Sequence, residues 1–206
     1  STVCVNADAE WFASQGRSLP SDLESLATPE FAELLVVENP ATSSPGLAFL
    51  AATHAEFGDG ADAYWERLRD HGVAVAASWS DAWNSRYTVN GGDRPLVVSY
   101  ASSPPAEVVY SEGALTSPES TVLPDTCFQQ IEFAAVLDGA AHPEAARLLV
   151  DEMLSPAWQE QLPLSNFVYP VRTGTPLPPE FDRWAPPVAD PITVDAYEIG
   201  EHRDAW

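Results

Sequence analysis

The stretch LLVVENPATSSPGLAFL, residues 34–50, decides the fold class. Its first part, residues 34–38, is an apolar run with β-branched side chains, which is typical of a buried strand. A polar loop follows at residues 39–46, and residues 47–57 then have the apolar spacing of a helix. A buried strand that leads into a helix is the unit from which α/β proteins are built, so this stretch predicts a sheet covered by helices.

The same alternation continues on both sides of this stretch. Extended segments are predicted at residues 2–5, 73–77, 96–100 and 127–137. Helices are predicted at residues 20–26, 61–69, 80–87, 143–154, 156–162 and 194–206, with another that opens at residue 103. Ser80 is the predicted cap of its helix, Ser18 or Ser21 that of the first helix, and residues 111–124 are predicted to be an exposed excursion. The architecture is therefore a doubly wound, mostly parallel sheet flanked by helices.

The composition limits the classes of partner. The chain has 206 residues and a net charge of −22, with 31 acidic residues against nine basic ones, all of them arginine. Such a charge repels nucleic acids and anionic membrane surfaces and attracts small cations. The alternative, that the acidic residues only keep an exported protein in solution, stays open at this point.

Three polar segments follow predicted strands, at residues 42–46, 78–81 and 100–104. Ligands of open α/β sheets bind at the carboxyl ends of strands, so these segments are the candidate site. Thr42, Ser43 and Ser44 precede a helix and suit an anion, although capping of that helix is the simpler interpretation.

Aromatic residues accompany these hydroxyls. Trp79 and Tyr100 follow strands, and Phe167 and Tyr169 form a second cluster, with core packing as the alternative for each. An exposed indole holds a cation or a flat ring. Aromatic faces with hydroxyls and few charges favour a flat cationic ligand with a hydroxyl or phosphate tail.

Catalytic and metal motifs are weak. No histidine lies in a metal-ligand spacing or beside a recognisable nucleophile, and no cofactor is expected. Glu132 lies in a predicted apolar strand. Its side chain could contact a ligand, act as a general base or simply be hydrogen-bonded at the exposed end of the strand. Cys4 and Cys127 either form one long-range disulfide or remain buried thiols.

Six short motifs, in order along the chain, resemble those of the thiamine-binding substrate proteins of ABC importers. NPATSSPGL resembles the family's DPRTSTPGL, WSDA resembles GWSEA, and SYASSP resembles SYTTSP. QIE, SPAWQ and SNFVYPV are similar to QVE, SPAFQ and GNWMYPV. Here the family's tryptophan is Phe167, and its aromatic residue two positions after SP is Ala106.

The resemblance implies a type II periplasmic-binding fold of two lobes joined by hinge strands. It implies that residues 1–127 are the second lobe, that residues 128–206 are a return segment with C-terminal helices, and that the first lobe is largely absent. It also implies a disulfide between Cys4 and Cys127 on adjacent hinge strands. The expected ligand contacts are Ser43, Ser44, Trp79, Tyr100, Ala101, Ser102, Ser103, Pro104 and Phe167.

The function implied is capture of thiamine or its phosphate esters outside the cytoplasm, in the periplasm or on a lipid anchor. We expect a monomer that delivers its ligand to an ABC permease. We do not expect an enzyme. One alternative is a solute-binding protein for iron or an organophosphate, although Tyr100 lacks the adjacent tyrosine typical of iron sites. The other is a thiamine-degrading enzyme of similar fold, with Cys4 and Glu132 as nucleophile and acid.

Overall fold

The computed structural model describes residues 1–206 and contains a five-stranded sheet covered by helices. The strands are β1 (Thr2–Asp8), β2 (Leu35–Glu38), β3 (Ala74–Ala76), β4 (Leu96–Tyr100) and β5 (Ser120–Gln129). The helices are α1 (Ala9–Ser14), α2 (Leu23–Leu26), α3 (Ser44–Phe57), α4 (Ala61–Asp70), α5 (Trp79–Asp81), α6 (Ser103–Tyr110), α7 (Pro143–Met153), α8 (Pro156–Asn166), α9 (Pro179–Trp184) and α10 (Ala196–His202).

The sheet is mixed, with the spatial order β3-β2-β4-β1-β5. Strand β2 pairs in parallel with β3 and β4, as the strand–helix alternation predicts. Strand β1 runs antiparallel to both of its neighbours, β4 and β5. The predicted α/β class is confirmed, and the reversed β1 explains why the sheet is mixed rather than wholly parallel.

The core lies on both faces of this sheet. Leu35 and Val37 of β2 join Leu96 and Val98 of β4 in the larger cluster, under helices α3 and α4. Val36 of β2 and the alternate residues of its neighbours point to the opposite face, in a smaller cluster. Because side chains alternate along a strand, burial on both faces makes β2 and β4 continuous apolar runs.

Several predicted boundaries were wrong. Asp22, rather than Ser18 or Ser21, caps the first predicted helix, because its carboxylate accepts the backbone N–H of Ser25. The hydroxyl of Ser78, and not that of Ser80, caps α5 by accepting the backbone N–H of Asp81 at 3.2 Å.

Two longer segments also differ from the prediction. Residues 120–124 belong to β5 and not to an exposed excursion, because they pair with β1. Gln130 still exchanges two backbone hydrogen bonds with Ser1, but residues 131–137 extend beyond β5 without joining any strand. An extended segment becomes a strand only where a partner supplies the ladder, and none does so here.

The two cysteines join the strands β1 and β5. Cys4 and Cys127 form a disulfide, 123 residues apart in sequence, and both side chains are buried. The β1–β5 register shifts between Val3 and Val5, and the hydroxyl of Thr126 accepts the backbone N–H of Val5 at 2.9 Å. The disulfide therefore holds a bulged part of the sheet together.

None of the helices is long and apolar enough to cross a bilayer.

Candidate functional site

A cleft of about 340 Å³ lies at the carboxyl end of β4. The end of β4, the start of α6 and the end of α8 converge there, together with α5 and the segment after β5. The lining residues are Ser1, Trp79, Tyr100, Ser102, Ser103, Ala106, Tyr110, Glu132, Asn166, Phe167 and Val168. The cleft thus occupies the edge of the sheet where α/β folds bind ligands.

A chain of hydroxyl hydrogen bonds positions Trp79. Its indole Nε1–H donates to Ser99 Oγ at 2.9 Å, and Ser99 Oγ lies 2.8 Å from Ser103 Oγ. Ser103 Oγ also accepts the backbone N–H of Tyr100 at 3.2 Å. One face of the Trp79 ring stacks on Trp83 at a centroid distance of 5.7 Å. The indole is therefore held by its N–H and by one ring face, and it is half-buried at the cleft.

A second wall is fixed by a contact between distant parts of the chain. Phe167 has a left-handed backbone, with φ of 53°, which ends α8. The Ser102 hydroxyl donates to the Phe167 carbonyl at 2.5 Å and so ties the end of α8 to the start of α6. The Phe167 ring packs at 5.1 Å from Tyr110. These contacts place an aromatic wall across the cleft from β4.

The electrostatics of the cleft favour cations. Glu132 is the single charged side chain in the lining, and no arginine, lysine or histidine faces the cleft. Burial, followed by the nearby carboxyls of Glu132 and Glu38, raises the pKa of Tyr100. The phenol therefore stays protonated and serves as a neutral hydrogen-bonding group.

Glu38 is a buried acid at the end of β2. It is 1 % exposed, and neither carboxyl oxygen has a hydrogen-bond partner. Burial without a partner raises its pKa to about 8, because the charged form is poorly solvated there. At neutral pH this group is therefore mostly uncharged.

The structure brings together only part of the predicted site. Trp79, Tyr100, Ser102, Ser103 and Phe167 line the cleft. Ala101 and Pro104 are buried at the start of α6 and do not line it.

The serines at the start of α3 lie outside the cleft. Ser43 Oγ is buried with no partner, and Ser44 is exposed. Neither serine is among the lining residues. Their role as ligand contacts stays a prediction.

Sequence reasoning missed Ser99 and Tyr110. Ser103, Ala106 and Tyr110 are spaced as one face of a helix, so the periodicity of α6 was a usable signal for Tyr110. Ser99 precedes the predicted segment by one residue. Its position in the predicted strand, next to Tyr100, was the only available signal. That position did not reveal the hydrogen bond to Trp79.

The chain is similar in sequence and in fold to known periplasmic proteins. The profile of the family described as bacterial extracellular solute-binding protein matches residues 1–199. A thiamine-binding periplasmic protein of Brucella abortus is 32 % identical over 193 residues, which cover 91 % of this chain and 54 % of that protein. The protein of the same description from Escherichia coli is 29 % identical over 187 residues, which cover 91 % of this chain and 55 % of that protein.

The fold is also similar to that of a solved protein of the same description. A solved periplasmic thiamin-binding protein superposes with a TM-score of 0.82 at 26 % identity, over 100 % of this chain and 61 % of that chain. The present chain spans about half the length of the curated relatives it matches. From its sequence match and its fold, the chain belongs to the family of bacterial extracellular solute-binding proteins.

Proposed function

We propose that this chain is part of an extracytoplasmic protein that captures thiamine, or one of its phosphate esters, and delivers it to an ABC import permease. The observation that carries the proposal is the cleft beside β4, where Trp79, Tyr100 and Phe167 supply aromatic faces and Glu132 is the single charged side chain. A cationic heteroaromatic ring is attracted to aromatic faces and to a carboxylate. The relatives named above carry thiamine binding in their descriptions, which supports the same ligand here.

The chain would form one lobe and the hinge of a two-lobed protein. Residues 1–127 would be that lobe, and residues 128–206 would return along both lobes. Helix α7 has no buried residue and exposes Leu148 and Leu149. Large apolar side chains exposed on one helix suit a surface that another part of the protein covers, which supports a first lobe contributed by other residues. Closure of two lobes would then enclose the ligand.

Capture rather than catalysis is supported by the state of Cys4. A thiamine-degrading activity would need this residue as a free thiolate. Cys4 is instead bonded to Cys127 and is 1 % exposed. We therefore expect thiamine to remain intact after prolonged incubation with the protein, as measured by chromatography; cleavage that is lost in Cys4→Ser would contradict the proposal.

Ferric iron is the second candidate ligand, because Tyr110 gives the cleft a second tyrosine in addition to Tyr100 and Glu132. Phenolate and carboxylate oxygens suit ferric iron. Visible absorption after ferric loading tests this candidate, and a tyrosinate–iron band that Tyr110→Phe removes would favour iron over thiamine.

The thiamine proposal is tested by tryptophan fluorescence of the full-length protein. Thiamine is expected to quench part of the emission, and Trp79→Phe should remove most of that quenching and weaken binding at least tenfold. Trp11→Phe is the matched control, since α1 follows the far end of β1, opposite Leu96 rather than Tyr100. An unchanged titration in Trp79→Phe would remove this indole from the site.

A further inference from the structure

We propose that Glu38 is a proton-linked acid that adjusts the charge of this site to its ligand: it is ionised beside a bound thiamine cation and protonated beside a bound phosphate ester. The inference rests on the proposed function and deepens it, because it explains how one site can hold ligands of opposite charge. It follows from the position of Glu38, from its lack of any partner and from the polar groups on either side of it.

On one side, Glu38 lies next to the strand that forms the cleft. Val36 of β2 pairs with Val97 of β4, and Glu38 and Ser99 each lie two residues further along these parallel strands. Because side chains alternate along a strand, both point to the same face of the sheet as that valine pair. The charge of Glu38 also reaches the Tyr100 hydroxyl in the cleft and helps to raise its pKa, after burial and the charge of Glu132. A cation held against the aromatic faces is therefore within electrostatic range of Glu38.

On the other side, Glu38 meets the start of α3. A Cβ on Gly46 would lie 2.5 Å from the Glu38 carbonyl oxygen, so the helix reaches the end of β2 only because this residue is glycine. The backbone N–H groups of Ser44 and Gly46 and the buried hydroxyl oxygen of Ser43 have no partner within the protein. Free donors at the start of a helix attract negative charge. A phosphate tail held by the predicted contacts Ser43 and Ser44 would therefore lie close to Glu38.

Nothing within the protein fixes the charge of this carboxyl. Glu38 is 1 % exposed, neither of its oxygens has a hydrogen-bond partner, and it forms no ion pair. Burial raises its pKa to about 8. A buried carboxyl of this kind responds strongly to any charge placed near it. The ligand that binds beside Glu38 therefore sets its protonation state.

The two classes of ligand shift this balance in opposite directions. A cation stabilises the carboxylate of Glu38, and the proton leaves to the solvent. A phosphate stabilises the neutral acid, which takes up a proton from the solvent and no longer repels the ester. By linkage, the affinity for thiamine should rise with pH around pH 8, whereas the affinity for the esters should fall.

Other titratable groups surround Glu38, and two of them are held away from this pH range. Burial raises the pKa of Tyr100 and lowers that of His54, so at pH 8 the phenol is protonated and the imidazole is neutral. Strand β3 carries no titratable side chain. The charged and titratable side chains on the other elements around Glu38 and the cleft are Tyr100 of β4, His54 and Glu56 of α3, Asp62, Glu66 and Arg69 of α4, Asp81 of α5, Arg86 of the turn after it, and Glu132.

The test is calorimetry of the full-length protein at pH 8, with thiamine and thiamine diphosphate, in several buffers of different ionisation enthalpy. The slope of the observed enthalpy against the buffer enthalpy gives the number of protons exchanged per ligand bound. About half of the Glu38 carboxyls carry a proton at this pH. We therefore expect release of up to about 0.5 proton with thiamine and uptake of up to about 0.5 proton with the diphosphate. The ratio of the thiamine affinity to the diphosphate affinity should rise several-fold from about pH 7 to about pH 9.

Two variants assign the exchanged proton. Glu38→Gln keeps the size of the side chain and should abolish both exchanges, together with the pH dependence of the affinity ratio. Glu132→Gln is the matched control, because it removes the exposed carboxyl of the same cleft. It should keep both exchanges whatever its effect on affinity, since the protons are counted per ligand bound.

The outcomes separate the two proposals. If both ligands bind without proton exchange, or with exchange of the same sign, the role of Glu38 is overturned while the proposed function stands. Exchange that persists in Glu38→Gln would belong to another group of the protein or to the ligand itself, and it would overturn the role of Glu38 as well. If neither ligand binds, the proposed function fails, and this inference fails with it.

Discussion

Residues 1–129, here called the sheet region, and residues 130–206, the C-terminal region, share a chain but differ in their packing. Of the 51 buried residues, 47 lie in the sheet region, and only Gln159, Pro163, Phe181 and Ala185 lie in the C-terminal region. Large apolar side chains are exposed in the C-terminal region instead, with Phe133 at 85 % and Leu148 at 70 %. Most of the buried core therefore belongs to the sheet region, while the C-terminal region exposes several large apolar side chains.

The cleft is lined by residues of both regions, and this partly explains why the two regions differ in packing. Trp79, Tyr100 and Ser103 come from the sheet region, whereas Glu132 and Phe167 come from the C-terminal region. The bond from Ser102 to Phe167 is one of the few that joins them at this edge. A rigid wall and a loosely packed wall suit a site whose two sides move relative to each other.

The largest expected effect is in the sheet region and concerns the disulfide. Replacing both Cys4 and Cys127 by alanine should lower the free energy of unfolding by about 3–5 kcal/mol, because the bond closes a long loop in the unfolded chain. Alanine keeps the surroundings apolar, since Cys4 and Cys127 share a buried cluster with Ala101. Urea denaturation monitors the change. A loss below about 1 kcal/mol would mean that β1 and β5 hold together without the bond.

The sequence predicted the sheet region better than the C-terminal region, for a physical reason. Strands β2 and β4 and helix α3 follow from local patterns, because burial on both faces leaves apolar runs and proline opens helices. The extended segment at residues 131–137 was predicted from the same kind of pattern, but it has no partner strand. Pairing depends on residues far away in sequence, and no local signal reports it.

The candidate site shows the same limit. Aromatic residues and hydroxyls at strand ends located Trp79, Tyr100 and Ser103, because strand ends are visible in the sequence. The contact between Ser102 and Phe167 spans 65 residues, and the left-handed backbone of Phe167 breaks the usual rule that glycine ends a helix this way. Tertiary contacts fix both features, so neither was open to local reasoning.

A matched pair of leucines gives the next largest effect and addresses the comparison directly. Leu96 in β4 is 0 % exposed and belongs to the main core, whereas Leu148 in α7 is largely exposed. In the 206-residue chain, Leu96→Ala should cost about 3 kcal/mol of unfolding free energy and Leu148→Ala less than about 0.5 kcal/mol. Urea denaturation of both variants gives the two losses of unfolding free energy. Losses of similar size would show that the C-terminal region carries a core of its own.

In the full-length protein the contrast between the two leucines should shrink. If a first lobe covers α7, Leu148→Ala should cost about 1–2 kcal/mol there, since the side chain would then be buried. The value for Leu96→Ala should stay near that of the 206-residue chain. An unchanged Leu148 value would argue that α7 faces solvent in the intact protein and would remove one support for the two-lobed arrangement.

The last effect depends on pH and concerns the unpaired acid of the sheet region, Glu38. The unfolded carboxyl of Glu38 releases its proton near the ordinary pKa of 4.5, and the folded one near 8. Between these values the folded state holds an extra proton, so stability should fall as the pH rises from about 4.5 to about 8. Glu38→Gln should remove that slope and stabilise the protein at pH 8, because the amide carries no charge to bury. Glu160→Gln, in the exposed face of α8, is the control and should leave the slope intact. A slope that persists in Glu38→Gln would mean that the Glu38 carboxyl is paired or hydrated in solution. The end of β2 would then be more accessible to water than the interior of β4.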